Sequence, residues 1–271
     1  MFAQDKQSLE RIRSQIVTFI KDYVHSSGHK KAVVGLSGGV DSSLSYFLTC
    51  DALGAKNTIG VIMPSRLSNK ESRENAEELI KLKKGIKQYY DISSIVEKFG
   101  SVLDESEKNK RSRIRIGNIQ ARTRMIILYD VASREGGLVI GTGNKTELLT
   151  GYFTLYGDGG CSIEPLGDLY KTEVWELAQI VGVPKKIISR KPTAELWENQ
   201  TDETELGIKY RTLDEILWYY IERNNNPDEI VKFGYEREIV EKVVALVKRT
   251  KFKRHTPPSP VLRRYNYQEL V

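Results

Sequence analysis

The first residues in this chain that could do chemistry follow a short apolar run. Residues 32–34 predict a buried strand, which breaks at Gly35 and leads through Ser37-Gly38-Gly39 into an apolar pattern with helical spacing from Val40. Glycines in such a turn let backbone N–H groups approach an anion, and the start of the following helix adds partial positive charge. The sequence therefore predicts a phosphate-binding turn, although a glycine turn after a strand is also common without that role.

Asp41 stands in this turn where the phosphate-binding motif G-x-x-x-x-G-K-[ST] would have lysine. A carboxylate that faces phosphates makes chemical sense if it holds Mg²⁺. The alternative is an ordinary acid in the first turn of a helix, where it interacts favourably with the helix dipole. We favour a nucleotide site that handles magnesium pyrophosphate.

A second turn of the same kind, residues 141–147 (GTGNKTE), follows the apolar residues 138–140. The carboxyl ends of parallel strands lie at one edge of a sheet, so Glu147 is expected to join Asp41 around one metal ion. A first-turn helix acid is an equally simple interpretation of Glu147.

The elements that must position these residues alternate along the chain. Strand patterns occur at residues 32–34, 58–63, 88–92 and 138–140, and helical patterns at 5–26, 69–84, 118–134 and 171–182. This alternation predicts an α/β fold with a doubly wound parallel sheet and flanking helices. Residues 101–115 are polar and basic, and we expect them to form a loop that is either solvated or binds an anion.

The rest of the chain shows no break in composition, so residues 1–271 are expected to form a single domain. We assign the core to about residues 1–190, a mobile loop to about 190–205, a helical C-terminal cap to about 206–255 and a basic tail to 248–271. The cap's helices are expected at 212–222, 227–233 and 236–250. Residues 151–162 predict a lid or substrate-binding loop. The tail is either solvated or an arm over a phosphate-bearing ligand.

Composition restricts the function classes. The 42 Lys and Arg residues exceed the 36 Asp and Glu residues, which suits nucleotide substrates as well as nucleic acid. No run approaches the roughly 20 apolar residues that a membrane span needs. The two cysteines, Cys50 and Cys161, form no C-x-x-C motif, which argues against zinc, iron–sulfur and disulfide frameworks and favours a cytoplasmic protein. We expect no membrane or nucleic-acid partner.

Six separated blocks resemble the ammonia-dependent NAD⁺ synthetase family, whose members are ATP pyrophosphatases. In order they are GLSGGVDSS (35–43), GNIQARTRM (117–125), GTGNKTE (141–147), GYFTLYGDGG (151–160), EPLGDLYKTEV (164–174) and KPTAELWENQTDETELG (191–207). The resemblance implies ATP-dependent amidation of nicotinic acid adenine dinucleotide (deamido-NAD) to NAD⁺. The pyridine carboxylate would attack the α-phosphate of ATP to give an adenylate and pyrophosphate, and ammonia would displace AMP.

The resemblance also implies Mg²⁺, ATP as co-substrate and a homodimer. Larger members of the family carry an N-terminal glutaminase domain. Only about thirty residues precede the glycine turn, too few for such a domain. We therefore expect no glutaminase domain, and free ammonia as the nitrogen donor unless a separate subunit supplies it.

Site residues follow from the resemblance position by position. ATP contacts are expected at Gly35, Leu36, Ser37, Gly38, Gly39, Val40, Asp41, Ser42, Thr142, Lys171 and Thr193. Mg²⁺ would be bound by Asp41 and Glu147, deamido-NAD by Arg122 and Lys253 and by the positions of Leu155, Ser162 and Phe252, and Asp158 would lie on the ammonia side. Without the resemblance, Lys171 would be taken for a solvated lysine, Thr193 for a turn residue and Arg122 for one arginine of a basic helix.

Three positions depart from the family's common pattern. Lysine is common where Leu155 stands, aspartate where Ser162 stands, and histidine where Phe252 stands. All three lie on the acceptor side, so the adenylating chemistry is better supported than the identity of the acceptor. We favour variation between branches of the family; the alternative is a related acceptor carboxylate, such as nicotinic acid mononucleotide.

Two other functions share this turn. A tRNA-modifying thiolase or a lysidine-type ligase would also suit the positive charge, but the chain lacks a catalytic cysteine pair, and Cys50 is expected to be a buried residue of the helix after the turn. A non-catalytic ATP sensor would bind ATP without needing Asp41, Glu147 and Lys171 together. Pyrophosphate release that requires both ammonia and a carboxylate acceptor separates the three.

Overall fold

A parallel four-stranded sheet lies at the centre of the computed structural model, which describes residues 5–103, 110–193 and 201–260. Its strands are β1 (Lys31–Gly35), β2 (Thr58–Ile62), β3 (Ile86–Tyr89) and β4 (Gly137–Ile140), in the spatial order β3-β2-β1-β4. The chain adds β2 and β3 on one side of β1 and then β4 on the other. Open parallel sheets bind ligands beyond the carboxyl ends of the strands at such a switch point.

The helices in these ranges are α1 (Lys6–Ser26), α2 (Val40–Leu53), α3 (Lys70–Lys83), α4 (Ser93–Val102), α5 (Lys110–Glu135), α6 (Lys145–Thr150), α7 (Lys171–Val181), α8 (Lys185–Ile188), α9 (Asp202–Leu206), α10 (Tyr210–Ile221), α11 (Pro227–Lys232) and α12 (Arg237–Arg249). None of the described helices is both long and apolar enough to cross a membrane.

Both faces of the sheet are covered because the side chains of a strand alternate between its faces. Ala32 and Val34 of β1 belong to a core shared with α1, α2, α3 and α7. Val33 points to the opposite face, where Val131 and Ala132 of α5 complete a second core. The predicted doubly wound parallel sheet with flanking helices is confirmed.

The C-terminal helices α10, α11 and α12 form the predicted cap. Leu213, Ile216 and Leu217 of α10 pack with valines of α12 in a third core. Tyr170, which precedes α7, also belongs to that core, and α10 contacts both α6 and α7. The cap is therefore packed against the two helices that follow the sheet's second glycine turn.

Several secondary-structure predictions were wrong or incomplete. Residues 101–115 are not all loop, because α5 begins at Lys110, about two turns before the predicted start at residue 118. Arginine and lysine are good helix formers, so this basic segment continues the helix without an apolar stripe to reveal it. Helices α4 and α8 were missed, and α9 begins within the predicted loop of residues 190–205. β3 spans Ile86–Tyr89 rather than residues 88–92, because its pairing with β2 ends where Tyr89 lies opposite Ile62, the last residue of β2.

Some predictions fall on positions outside the described residues. They include Lys108 of the basic stretch, residues 194–200 of the predicted mobile loop and the tail beyond residue 260.

Candidate active site

The glycine turn after β1 is held by its own hydroxyl groups. The Ser37 and Ser42 hydroxyls lie 3.0 Å apart, Gly39 N donates to Ser37 Oγ (3.2 Å), and Ser42 Oγ donates to Gly39 O (3.1 Å). Helix α2 then begins at Val40 with Asp41 in its first turn. The turn thus presents backbone and a helix N-terminus to the cavity above it, as an anion site requires.

Gly38 shows why this turn needs glycine. Its φ is +79°, and a Cβ atom added there would lie 2.1 Å from Ser72 O of α3. Backbone and packing therefore both exclude a side chain at this position.

Asp41 and Glu147 come together around a buried lysine at the start of α7. Lys171 Nζ donates to Asp41 Oδ2 and lies 3.8 Å from Glu147 Oε1, and the Lys171 side chain is 2% exposed. Asn144 Nδ2 donates to Asp41 Oδ1 (2.9 Å), while the Asn144 and Glu147 side chains form a capping box at the start of α6. Three separate turns therefore meet at one point on the carboxyl edge of the sheet.

Burial and mutual charge determine the protonation of this group. Burial alone would lower the pKa of Lys171, but Asp41 and Glu147 outweigh it and raise that pKa, so the ammonium stays charged. Burial, and then the charge of Asp41, raises the pKa of Glu147.

Carboxylate oxygens suit Mg²⁺, which commonly takes one or two carboxylates and completes its shell with phosphates and water. No group of three or more His, Cys, Asp or Glu side chains in the described ranges is arranged as a metal site. Asp41 and Glu147 supply two carboxylates on the two sides of Lys171 Nζ, a donor set that fits a magnesium ion with phosphate and water as its other ligands.

A buried aspartate in the cap fixes the starts of α6 and α7. Asp214 is fully buried, and its carboxylate accepts hydrogen bonds from Thr146 Oγ1 (2.5 Å), Thr172 N (2.8 Å) and Thr172 Oγ1 (2.9 Å). Lys171 N in turn donates to Thr146 Oγ1 (3.0 Å). Each threonine is the sequence neighbour of Glu147 or Lys171, so Asp214 positions both. Burial raises the pKa of Asp214 to about 6.

Sequence reasoning missed Asp214. The available signal was a carboxylate among the apolar residues Leu213, Ile216 and Leu217 on the buried side of α10, since buried charges are rare unless they have partners.

A cavity of about 520 Å³ opens above the two glycine turns. All of the predicted ATP contacts except Gly38 line its wall, and so do Glu147 and Asp158. Asp158 Oδ1 also accepts a hydrogen bond from Thr154 N (2.9 Å), which braces the glycine-rich loop.

The predicted acceptor residues are divided between the cavity and its surroundings. Lys253 lines the cavity, but its Nζ donates to Gly151 O (2.7 Å) and Phe153 O (2.6 Å). Arg122 donates to Leu155 O (Nη2 at 3.3 Å), and neither residue is part of the cavity wall.

The other two acceptor positions also lie away from the cavity wall. Ser162 Oγ accepts a hydrogen bond from Val139 N (3.3 Å), and Phe252 is 65% exposed to solvent. The structure thus brings the predicted ATP and metal residues together, and of the acceptor set only Lys253 joins them.

Glu164 is a cavity residue that sequence reasoning did not single out. Its Oε2 accepts a hydrogen bond from the backbone Gly143 N (3.0 Å). The Glu164 carboxylate also accepts a hydrogen bond from the Cys161 thiol. Burial raises the pKa of Glu164 to about 7. The block of residues 164–174 contained this glutamate, but nothing in its spacing indicated that it faces a cavity.

Comparison with known proteins gives one consistent family. A family model described as NAD synthase matches residues 12–257. The NH3-dependent NAD⁺ synthetase of Thermococcus kodakarensis is 46% identical over 249 residues, which cover 90% of this chain and 94% of that protein.

Solved structures agree. NMN synthetase from Francisella tularensis is 30% identical with a TM-score of 0.82, and the match covers 93% of this chain and 98% of that one. NH3-dependent NAD synthetase from Campylobacter jejuni is 30% identical with a TM-score of 0.77. That match covers 93% of this chain and 99% of the Campylobacter jejuni chain.

Proposed function

The chain belongs to the NAD synthase family, and on that premise we propose that it is a ligase that amidates deamido-NAD to NAD⁺, with ATP as co-substrate and ammonia as nitrogen donor. One observation carries the proposal. Asp41, Glu147 and Lys171 converge from three separate turns below a cavity that the predicted ATP contacts line.

The chemistry explains why such a group is needed. A carboxylate is a poor acyl donor because its leaving group would be oxide, whereas an adenylate has AMP as leaving group. Forming the adenylate brings several anions together, so the site must offer cations and oriented N–H donors. Lys171 supplies a buried positive charge, and the turn at residues 37–42 supplies N–H groups.

We propose Mg²⁺ as the metal, held by Asp41 and Glu147. When bound, it would neutralise charge on the pyrophosphate leaving group. The two carboxylates keep their orientation without it, because Asn144 contacts the side chain of Asp41 and caps the helix that carries Glu147.

We also propose a homodimer, formed by an apolar face of α4 and α5. Exposed apolar side chains on these two helices include Phe99 (44% exposed), Val102 (70%) and Ile126 (57%). Other apolar residues of α5 do not contribute to that face: Ala121 and Ala132 are buried, Leu128 packs against the second core and Met125 lines the cavity. The free thiols of Cys50 and Cys161 support a cytoplasmic location.

Nicotinic acid mononucleotide is the second candidate acceptor. Leu155, Ser162 and Phe252, which depart from the common pattern, lie away from the cavity wall, and Lys253 is engaged by backbone carbonyls. The resemblance in fold to the Francisella tularensis NMN synthetase favours the same alternative.

A coupled assay tests both candidates. ATP, Mg²⁺ and ammonium are supplied with either deamido-NAD or nicotinic acid mononucleotide, and AMP and the amide product are followed together. We expect AMP and amide in equal amounts, and more rapidly with deamido-NAD. Turnover that is equal or faster with the mononucleotide establishes the second candidate, and absence of AMP with both acceptors contradicts the proposed function.

A further inference from the structure

Glu164 has a place in the cavity that none of the predicted roles explains. We propose that Glu164 binds the ammonium ion and accepts its proton, so that ammonia is released beside the acyl adenylate. This inference rests on the proposed function and adds to it the group that activates the nucleophile.

The position of Glu164 follows from the edge of the sheet. Ile163 forms a parallel bridge with Ile140, the last residue of β4, so Glu164 lies beside the turn that follows β4. A Cβ atom added to Gly141 would lie 2.4 Å from Glu164 Oε2, and one added to Gly143 would lie 3.3 Å from it. The glycines on either side of Thr142 therefore leave the space that the carboxylate occupies, next to a predicted ATP contact.

The surroundings of Glu164 call for a small cation. No lysine, arginine or histidine in the described ranges forms an ion pair with it, whereas Asp41 and Glu147 share Lys171. Its hydrogen-bond partners, Gly143 N and the Cys161 thiol, are uncharged. A carboxylate withdrawn from water without a counter-ion is costly, and an ammonium ion that enters the cavity would supply the missing charge.

The protonation of Glu164 suits transfer of a proton near neutral pH. Burial raises its pKa to about 7, and the charge of Asp158 adds to this, while hydrogen bonds from Cys161 and Gly143 oppose it. Burial raises the pKa of Asp158 itself, and the positive charge of Lys253 partly opposes this rise. A general base is most effective when its pKa lies near the working pH.

The step balances as follows. Ammonium gives one proton to the Glu164 carboxylate, and the nitrogen lone pair forms a C–N bond to the carbonyl carbon of the adenylate. The C–O bond to AMP breaks and AMP leaves with the electron pair. A second proton passes from nitrogen to water, and Glu164 then returns its own proton to solvent.

The variant Glu164→Gln tests this role, because an amide oxygen still accepts from Gly143 N but cannot take the proton. Ammonium is compared with hydroxylamine, which is uncharged at neutral pH. We expect kcat/KM for ammonium to fall by about 10- to 100-fold and kcat/KM for hydroxylamine to fall by less than about threefold. Glu164→Asp keeps a carboxylate and should largely retain the wild-type ratio. Glu241→Gln, exposed on α12, is the matched control and should change neither value.

The pH profile gives a second readout. At fixed total ammonium the wild-type rate should level off above about pH 7, where Glu164 is ionised. In Glu164→Gln the rate should keep rising about tenfold per pH unit toward the higher pKa of free ammonium, because only ammonia present in solution remains available.

Equal loss with both nucleophiles would show that Glu164 only braces the turn, and no loss with either would show that it is not used; each overturns the proposal. Exchange of labelled pyrophosphate into ATP, with acceptor present and nucleophile absent, should continue in Glu164→Gln. If the wild-type protein shows no such exchange, the proposed function fails instead, so the two failures are distinguishable.

Discussion

Lys171 is almost completely buried and still carries its charge, because two carboxylates from different turns surround its ammonium group. Removing one partner of a buried pair leaves an uncompensated charge and costs more than the pair itself contributes. Lys171, Asp41 and Glu147 therefore depend on one another, and a substitution at any one of them should disturb the whole group.

Asp41→Asn removes both a predicted metal ligand and the hydrogen-bonded partner of Lys171. We expect kcat/KM for ATP to fall at least about 100-fold, as when an electrostatic contact to a transition state is lost. The matched control is Asp51→Asn on the same helix, whose carboxylate pairs with Arg13 and Lys83 outside the cavity. Its turnover should stay within about twofold. Near-normal turnover in Asp41→Asn would refute the metal assignment.

Asp214→Asn should lower stability as well as activity. An asparagine amide would present N–H groups to a site that already has three donors, so we expect the free energy of unfolding in urea to fall by about 1–3 kcal/mol. A rise in KM for ATP should accompany it, because the starts of α6 and α7 lose their common acceptor. An unchanged free energy of unfolding would contradict the bracing role.

The pH dependence of this variant has a definite sign. The folded-state pKa of Asp214, about 6, lies above its ordinary value of 3.8, so the folded protein binds the proton more tightly than the unfolded chain. Its contribution to stability is full below about pH 4 and is lost as pH rises through about 6. The stability advantage of the wild type over Asp214→Asn should decrease across that interval.

Among single residues, the sequence was informative where the backbone restricts the choice of side chain. Gly38 and Asp41 belong to a short contiguous turn, so their roles could be read from spacing. Tertiary packing brings Glu164 to the site beside the edge of the sheet, and it brings Asp214 there through the helical cap. No local sequence pattern predicts either position.

At the scale of elements, two strand–turn–helix units form the site, and the first depends on a backbone that only glycine can adopt. Gly38→Ala combines a φ of +79° with a Cβ atom 2.1 Å from Ser72 O, so either the turn or α3 must move. We expect ATP affinity to fall at least about tenfold and stability to fall by about 1–3 kcal/mol.

Gly54→Ala is the matched control for that change. Gly54 has a similar φ of +80°, but nothing lies within 4 Å of an added Cβ atom. It should cost about 1–2 kcal/mol of stability and leave ATP affinity unchanged, as measured by urea unfolding and calorimetric titration. Equal effects of the two substitutions on ATP affinity would contradict the role assigned to the Gly38 turn.

Elements with a strong apolar period could be predicted, and elements without one could not. β1, β2 and β4 are apolar and mostly buried, and their positions were predicted closely. β3 lies at the edge and is mostly exposed, so its register had no apolar alternation to fix it. The start of α5 is a run of charged residues, in which helix propensity acts without amphipathic patterning.

At the scale of the whole molecule, the exposed apolar face of α4 and α5 bears on assembly. Ile126→Glu places a charge in this face, and we expect it to convert a dimer into monomers in sedimentation velocity. Phe19→Glu is the control, since Phe19 is 45% exposed on α1, and it should remain dimeric. A wild-type protein that is monomeric at micromolar concentration would contradict the proposed interface.

Assembly and acceptor choice were the properties least accessible from sequence. Both depend on surfaces and loops in which no spacing rule applies. Leu155 and Phe252 illustrate this, because the resemblance assigned them to the acceptor site and the structure places both outside the cavity wall.

The central claim is that the acceptor carboxylate becomes an acyl adenylate before ammonia attacks. The direct test uses acceptor labelled with ¹⁸O in both carboxylate oxygens, with ATP, Mg²⁺ and ammonium, and mass spectrometry of the AMP formed. An adenylate passes one carboxylate oxygen to the α-phosphate, so each AMP should carry one ¹⁸O atom and the amide should keep the other. AMP without label, or label in inorganic phosphate or pyrophosphate, would contradict the account.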